Sequence, residues 1–507
     1  MQKNDNKSLL ILIFFVALGI RYIGINHSLP FVFHPDEPTV VQSALGIRFF
    51  ANPGHFDWPH LIIYLNYFVF MGFAYLRDLM QLDFMSAILP YLPKIIFDEP
   101  SIFYLLSRMF SAFLGALTVV PLYLAGREVF SSRVGVLAAI ALAFTPFHVW
   151  HSHYSLIDVP MMFFVALGVY FCLKIIKRKD LNDYAGAGFY IGLAASAKYN
   201  GGLAALGVLF AHVIRIITNK EKFQESNNIL YLVISGVTAI AGFLLGTPYA
   251  LLDFKTFSRT DGPKGAFWQF KNVGSLDVGE RLPSFLNDIA FKISDDLGYS
   301  IIIGFGLLTV LLIYRQLTKK ISNDDKYLWF LVFLSLFLLV YISGFSKSRS
   351  HYFFIAYPSL ILSFAYIVDW AVDKITSKSP LFGNIVLGIA FVPLILFSFK
   401  NSYTFFNGDT RTALYDWLKT NTRPTDLLVY DTSNVVLVMD KVPNKKIKID
   451  YPPRDYVFGY FISTDDSMTL AQLNQQTTIT KYRYELVHRV DNDFRLGPNI
   501  KVYTFRR

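Results

Sequence analysis

Cysteine is all but missing: Cys172 is the only one in 507 residues. No intramolecular disulfide can form, and the usual clue to redox compartment is absent. The chain also lacks internal repeats, low-complexity stretches and a glycine-rich loop for a nucleotide. The first apolar segment has no small-residue cleavage site and is too long for a typical signal-peptide core, so it is expected to be a retained helix. What is present is apolar. The composition is 53% apolar, with 49 Phe and 30 Tyr in repeated long runs, which excludes an ordinary soluble globule and points to a polytopic membrane protein. The net charge of +10 does not point to nucleic acid, because the basic residues sit in short loops between apolar runs, where they report topology.

Eleven runs approach the ~20 residues needed to cross about 30 Å of hydrocarbon. They are Ser8–Ile25, Ser101–Ala125, Val134–Trp150, Leu156–Ile176, Tyr184–Ala197, Gly201–Ile217, Ile229–Gly246, Tyr299–Tyr314, Tyr327–Ser343, Tyr352–Val372 and Phe382–Phe399. With Lys3 and Lys7 in the cytoplasm, alternate loops are basic: Arg127/Arg133, Lys174/Lys177/Arg178/Lys179, Arg215/Lys220/Lys222, Arg315/Lys319/Lys320/Lys326 and Lys374/Lys378. The opposite loops hold few cations besides Lys198, Lys347 and Arg349, so they face outward. Leu61–Leu76 is apolar enough to be taken for a span, but a lone crossing there would invert every later loop. It is therefore expected to be an interfacial or re-entrant helix. A second crossing near Phe84–Phe97 restores parity and gives thirteen spans, against which Pro90 and Pro93 argue.

The expected fold is thus a mainly α polytopic membrane protein with a small α/β tail. Residues 1–400 form the transmembrane domain, including outer loops 26–100 and 247–297, and residues 401–507 form an extracytoplasmic domain. The second loop is polar and glycine-rich, but Phe254, Phe257, Phe267, Trp268 and Phe270 favour a lid over disorder. In the tail, Asp409–Thr420 has helical spacing with Asp409 or Thr410 as N-cap. Leu427–Tyr430, Tyr456–Ile462, Glu485–Val490 and Ile500–Phe505 read as strands.

The outer face collects the chemistry-bearing residues. Asp36 and Glu37 stand together in Phe33-His34-Pro35-Asp36-Glu37-Pro38. Carboxylates are tolerable at the membrane edge, and the two prolines argue for a fixed turn rather than a helix running through. Asp36 is read as a catalytic base. Lys198, and the pair Lys347 and Arg349, are cations where cations are rare, which an anion bound at the outer edge explains. For Lys198 the alternative is a snorkelling side chain. Arg108 lies inside a span and requires an anionic partner, such as a carboxylate of the first loop. Asp57-Trp58-Pro59-His60 also belongs to this face. His148, His151 and His153 with Asp158 or Glu37 offer zinc donors, but the spacing matches no closed structural site. Hydrogen-bonding histidines are the expected reading. Asp158, just before Val159-Pro160, is either an N-cap or a partner for the site.

Taken in order, these residues resemble a family. The Asp-Glu pair after the first helix is similar to the signature of GT-C superfamily membrane glycosyltransferases, with protein O-mannosyltransferases and lipid A aminoarabinose transferases as close comparisons. Further resemblance lies in Ser107-Arg108-Met109-Phe110-Ser111-Ala112, Ser152-His153-Tyr154-Ser155-Leu156-Ile157-Asp158-Val159-Pro160 and Ala197-Lys198-Tyr199-Asn200-Gly201, then in Gly246-Thr247-Pro248-Tyr249, Arg349-Ser350-His351-Tyr352 and the opening of the tail at Asp409. The chain departs from these relatives in having no soluble sugar-binding insert and no basic double-proline stretch in the first loop.

The resemblance implies a GT-C-like bundle that takes a sugar from a polyprenyl-phosphate carrier and passes it to a hydroxyl of a protein, lipid or glycan outside the cytoplasm. The base falls on Asp36 with Glu37 beside it. Substrate contacts fall on Arg108, Asp158, Lys198, Tyr199, Lys347, Arg349 and His351. Phosphate is a weakly basic leaving group that needs charge stabilisation rather than protonation, so one base suffices and the anomeric centre inverts. No metal or other cofactor is required, although a divalent ion is compatible with the donors present. The expected partners are the lipid-linked donor, the acceptor and membrane lipids, without nucleic acid. The expected location is a prokaryotic plasma membrane, with the N-terminus cytoplasmic and both site and tail outside. The alternative reading, a transporter or flippase of a lipid-linked anion, calls for charges in broken helices near the bilayer midplane.

Overall fold

Apolar runs become helices because a chain in hydrocarbon must satisfy its backbone hydrogen bonds internally. The computed structural model describes residues 6–80, 101–219, 226–377, 379–430, 433–448, 456–464 and 482–507. Among them, eight helices are long and apolar enough to cross a membrane, from Ser101–Val129 to Pro380–Phe406, and the chain is an integral membrane protein. Three expected spans are shorter as helices. Lys7–Tyr22 has 16 residues and Leu181–Ala197 has 17. The run Val134–Trp150 breaks into Ser132–Ala143 and Pro146–His151. Pro146 cannot donate within a helix, and buried Arg21 takes up the freed carbonyls of Leu142 and Ala143, both at 3.1 Å. Leu61–Met80 is a 20-residue helix. The second stretch near Phe84–Phe97, like Lys3, Lys220, Lys222 and Lys378, lies outside the described residues.

Two compact units divide the chain: Met1–Tyr22 with Asp36–Phe399, and Ile23–Pro35 with Lys400–Arg507. In the larger unit, helices Leu181–Ala197 and Ser226–Gly246 pack backbone to backbone. A Cβ built on Gly188 or Gly192 would meet the carbonyl oxygen of Ser235 or Ala239 at 2.0 and 2.1 Å, so small residues are needed at this crossing. The segment 247–297 is ordered and mostly helical. It contains Ala266–Val273, Val278–Asn287, a π-helical turn Asp288–Ile293 and Ser294–Leu297. Its aromatics pack on the loop that precedes helix Leu61–Met80, with Phe257 edge-on to buried Phe56 at 5.4 Å.

In the smaller unit, Asp409 caps helix Thr410–Asn421, accepting from the Arg411 backbone N–H at 2.9 Å. A five-stranded sheet comprises β1 (Leu427–Tyr430), β2 (Lys445–Lys448), β3 (Phe458–Thr464), β4 (Arg483–Val490) and β5 (Ile500–Arg506), in the order β2-β1-β3-β5-β4. β1 pairs in parallel with β2 and β3, whereas β5 pairs antiparallel with β3 and β4. Leu414 and Leu418 of the helix cover one face together with Leu428 and Val502, and Val429, Phe461 and Phe505 fill the other. Four strands match the sequence reading to within about two residues at each end. β2 does not announce itself, because Lys-Lys-Ile-Lys offers a single apolar residue to an edge position.

Candidate active site

The paired carboxylates separate at the start of a helix. Asp36 is the N-cap of Glu37–Gly46, with Pro38 in its first turn. The expected turn therefore passes directly into a helix, since proline is tolerated in the first turn, where its N–H has no partner to lose. Asp36 is exposed and Glu37 fully buried. Glu37 receives two parallel bonds from Arg108, Nε to Oε1 and Nη2 to Oε2, both 2.7 Å, and a third from the Ser155 backbone N–H at 2.9 Å. Both members of the pair are 0% exposed. The three motifs at 33–38, 107–112 and 152–160 thus meet at one carboxylate, and the partner sought for Arg108 is Glu37.

A second cluster forms where four helix ends converge. Asp158 is the first residue of Asp158–Lys177, and Lys198 follows the last of Leu181–Ala197. His151 ends Pro146–His151, and His351 lies in the 3-10 turn Ser350–Ala356. Asp158 Oδ1 is ion-paired with Lys198 Nζ, and Oδ2 accepts from His151 Nε2 at 3.3 Å. The His151 and His351 rings stack at 5.5 Å, and the Lys198 ammonium sits 4.9 Å from the Tyr352 ring centre. Asp36, Asp158 and Arg349 all act electrostatically on the Tyr352 hydroxyl.

The two cations flanking Ser348 part company. Lys347 donates from Nζ to Asn272 Oδ1 at 2.8 Å and from its backbone to the Val273 carbonyl at 3.2 Å, so it is tied to the 247–297 segment. Arg349 is exposed and acts on His351 and Tyr352. Its neighbours are held from the same segment. Lys292 Nζ donates to the Ser348 carbonyl at 3.4 Å, and the Ser348 hydroxyl reaches Asp288 Oδ2 at 3.4 Å. The Ser350 side chain hydrogen-bonds to Asp296, whose carboxyl is pushed up to about 6 by burial, with that bond opposing the rise. The arrangement presents a guanidinium on a fixed backbone, suited to gripping an anion.

Other expected site residues point elsewhere. The Tyr199 hydroxyl donates to the Phe56 carbonyl at 2.9 Å, and its ring packs on Phe270. The three neighbouring histidines do not converge: His148 Nδ1 bonds Arg21 at 2.9 Å and His153 Nδ1 the Val149 carbonyl at 2.8 Å. Only His151 turns to Asp158. With His351 these three have donor atoms within 4.8 Å of one another. A divalent ion there would compete with Lys198 for the single carboxylate. Tyr352, Ser155, Asp288, Lys292 and Asp296 were not singled out from sequence. Tyr352 and Ser155 stand inside quoted motifs and could have been, whereas the three 247–297 residues carry no local signal.

Residues 103–245 match the family model of dolichyl-phosphate-mannose-protein mannosyltransferase. Over 154 residues the chain is 34% identical to dolichyl-phosphate-mannose–protein mannosyltransferase 1 of Saccharomyces cerevisiae, which covers 29% of this chain and 18% of that protein. The match therefore spans less than a fifth of the yeast relative. Among solved structures, ArnT from Cupriavidus metallidurans bound to undecaprenyl phosphate superposes with a TM-score of 0.50 at 11% identity, covering 98% of both chains. AglB from Archaeoglobus fulgidus, in complex with an inhibitory peptide and a dolichol-phosphate, gives 0.50 at 13% identity, over 87% of this chain and 64% of that one. The chain thus shares the fold of the ArnT and AglB structures, and across residues 103–245 its sequence matches the family model of dolichyl-phosphate-mannose-protein mannosyltransferase.

Proposed function

We propose that the chain is an inverting glycosyltransferase that moves a sugar from a polyprenyl-phosphate carrier to a hydroxyl of a protein acceptor on the extracytoplasmic face. The observation that carries this reading is the division of labour at residues 36 and 37. Glu37 is held on both oxygens by Arg108, whereas Asp36, the residue before it, stays exposed at the start of the helix. Lys198, Arg349 and His351 hold the carrier phosphate, and Arg108 acts through Glu37 to fix the loop that presents Asp36. The names of the relatives support the donor class, since they include a dolichyl-phosphate-mannose enzyme and structures with polyprenyl phosphates. A peptide in one of those structures supports a protein acceptor.

In the reaction, Asp36 accepts the proton of the acceptor hydroxyl as its oxygen bonds to C1 of the sugar. The C1–O bond to the phosphate breaks on the opposite face, and the electron pair leaves with the phosphate. Lys198 and Arg349 stabilise the charge that grows there. No protonation of the leaving group is needed, in contrast to glycoside hydrolysis with its two carboxyls. Asp36, Asp158 and Lys198 stand at helix ends, which suits a reaction at the membrane edge.

The test uses the purified protein in lipid nanodiscs with polyprenyl-phosphate mannose and a serine/threonine-rich peptide, read by mass spectrometry and by NMR of the anomeric configuration. Wild type transfers with inversion and Asp36→Asn does not. Wild-type turnover by Asp36→Asn removes Asp36 as the base, and retention of configuration removes the single-displacement mechanism.

A further inference from the structure

In the smaller unit, a cleft of about 570 Å³ opens between the end of helix Pro380–Phe406, the helix Thr410–Asn421 and the turn joining β4 to β5. Its volume falls within the ~300–1,000 Å³ of small-molecule sites. Its lining is unusual for a surface hollow. Trp417 and His488 stack nearly parallel, 7° apart at 4.8 Å. Tyr403 and Phe494 meet edge-on at 5.8 Å and are 53% and 51% exposed. Uncovered aromatic surface at the mouth of a polar cleft is a mark of binding rather than packing.

The charge around these rings cancels. Arg489 and Arg495 face Asp491 and Asp493, with Arg489 Nε bonded to Asp491 Oδ1 at 2.5 Å. Burial lowers the His488 imidazole further below its ordinary value, so it adds no charge at neutral pH. A phosphate site would show excess positive charge and a metal site excess carboxylate. This cleft has neither, yet it offers both donors and acceptors beside flat apolar faces. It is also pre-formed. Asn407 Nδ2 holds the Phe494 carbonyl at 3.0 Å, and Leu496 and Gly408 are bonded through the backbone at 2.9 Å.

We propose that this cleft, built from Trp417, His488, Tyr403, Phe494 and the balanced Arg and Asp residues of the β4–β5 turn, binds a neutral saccharide. A pyranose has a C–H face that lies on an aromatic ring and a rim of hydroxyls that each donate and accept, which is the complement of this lining. A glycan chain of the cell envelope, or the sugar already carried by an acceptor, has that chemistry. The inference concerns binding and does not depend on Asp36 being a base.

The full-length protein in detergent is titrated with methyl α-mannopyranoside, methyl β-glucopyranoside and, separately, inorganic phosphate, by saturation-transfer NMR. At least one glycoside binds with a Kd of about a millimolar, and phosphate does not compete. Trp417→Ala and Phe494→Ser each weaken that binding about tenfold or more. Trp417 also packs against the unit's core, so Phe494→Ser, a change at a half-exposed ring, separates lost contact from lost fold, and the unfolding midpoint of this variant stays at the wild-type value. Failure of both glycosides to bind at about 50 mM, competition by phosphate, or wild-type affinity in Phe494→Ser overturns the proposal. The last outcome assigns any sugar binding to another site.

Discussion

Removing Arg108 should damage the protein more than removing Arg108 and Glu37 together. The two side chains are 0% exposed and joined by two bonds of 2.7 Å, and Ser155 supplies a third to the same carboxylate. In Arg108→Met the Glu37 carboxylate stays buried with one backbone donor, and in Glu37→Met the guanidinium loses both of its carboxylate oxygens. Breaking one side of a buried pair costs about 3–5 kcal/mol. Replacing both by apolar groups of similar volume costs little, because the desolvation of the two charges disappears with their attraction. The expected order of stability therefore places Glu37→Met/Arg108→Met within about 1 kcal/mol of wild type and both single variants about 3 kcal/mol or more below. Denaturant unfolding of the detergent-solubilised protein, followed by tryptophan fluorescence, measures this. A double variant no more stable than the worse single variant, or single variants as stable as wild type, would refute the reasoning. Sugar transfer by the double variant is a separate readout. If Glu37 fixes the loop that presents Asp36, activity stays low even where stability returns.

Three further outcomes follow from the site. Asp36→Asn should lower kcat for transfer by about 10²–10⁴, the range for a lost general base, with carrier binding in an equilibrium assay unchanged. Arg349→Ala should weaken binding of polyprenyl phosphate by about ten- to a hundredfold, as expected for a charge-assisted bond of about 1.5–3 kcal/mol. Lys347→Ala, whose ammonium is held by Asn272, should stay within about twofold, and equal losses in the two variants would return Lys347 to the phosphate site. The Asp296 carboxyl, raised by burial from 3.8 to about 6, holds its proton more tightly in the folded state than in the unfolded state. Its contribution is complete below about pH 4 and is lost as pH rises through about 6, a change on the order of 3 kcal/mol. Asp296→Asn should flatten the unfolding midpoint over that interval, and a profile that keeps the wild-type slope would assign the pH dependence elsewhere.

Legibility in the sequence followed the range of the interactions. Helices in the membrane unit could be read because each buries a long apolar face locally, and Asp409 as a cap because its partner, Arg411, is two residues away. Whether Glu37 partners Arg108 or serves as a zinc donor could not be decided from sequence, since the deciding contacts come from Arg108 and Ser155, 71 and 118 residues on. The histidine run was read as hydrogen-bonding residues, as it is, but its partners could not be told from sequence. His148, His151 and His153 are neighbours in sequence, but on one helical end they point in different directions, and the ring that joins His151 comes from His351. Lys347 and Arg349 looked equivalent as two cations in one outer loop. They differ because Asn272 and Val273 of a distant segment hold Lys347, and nothing in Ser346-Lys347-Ser348-Arg349-Ser350 foretells it.

The division between Asp36 and Glu37 also accounts for why two adjacent carboxylates serve a reaction that needs one base. Two like charges close together repel, by about 4 kcal/mol at about 4 Å and an effective dielectric of about 20, so an uncompensated pair is a poor place to keep a carboxylate ionised. Arg108 removes that conflict. Its bidentate grip makes the buried member of the pair neutral as a unit, and the same three bonds fix the first turn of the helix that Asp36 caps. Asp36 is then exposed at the start of that helix, beside a carboxylate whose charge Arg108 balances. A carboxylate at residue 37 is needed because it anchors the base at residue 36, and the first consequence of losing it is a misplaced Asp36 rather than a missing proton acceptor. Glu37→Gln, which retains hydrogen bonds but not charge, should therefore lower the rate of transfer without shifting the pH at which the rate rises. A shifted pH profile would instead make Glu37 a direct participant in the proton transfer.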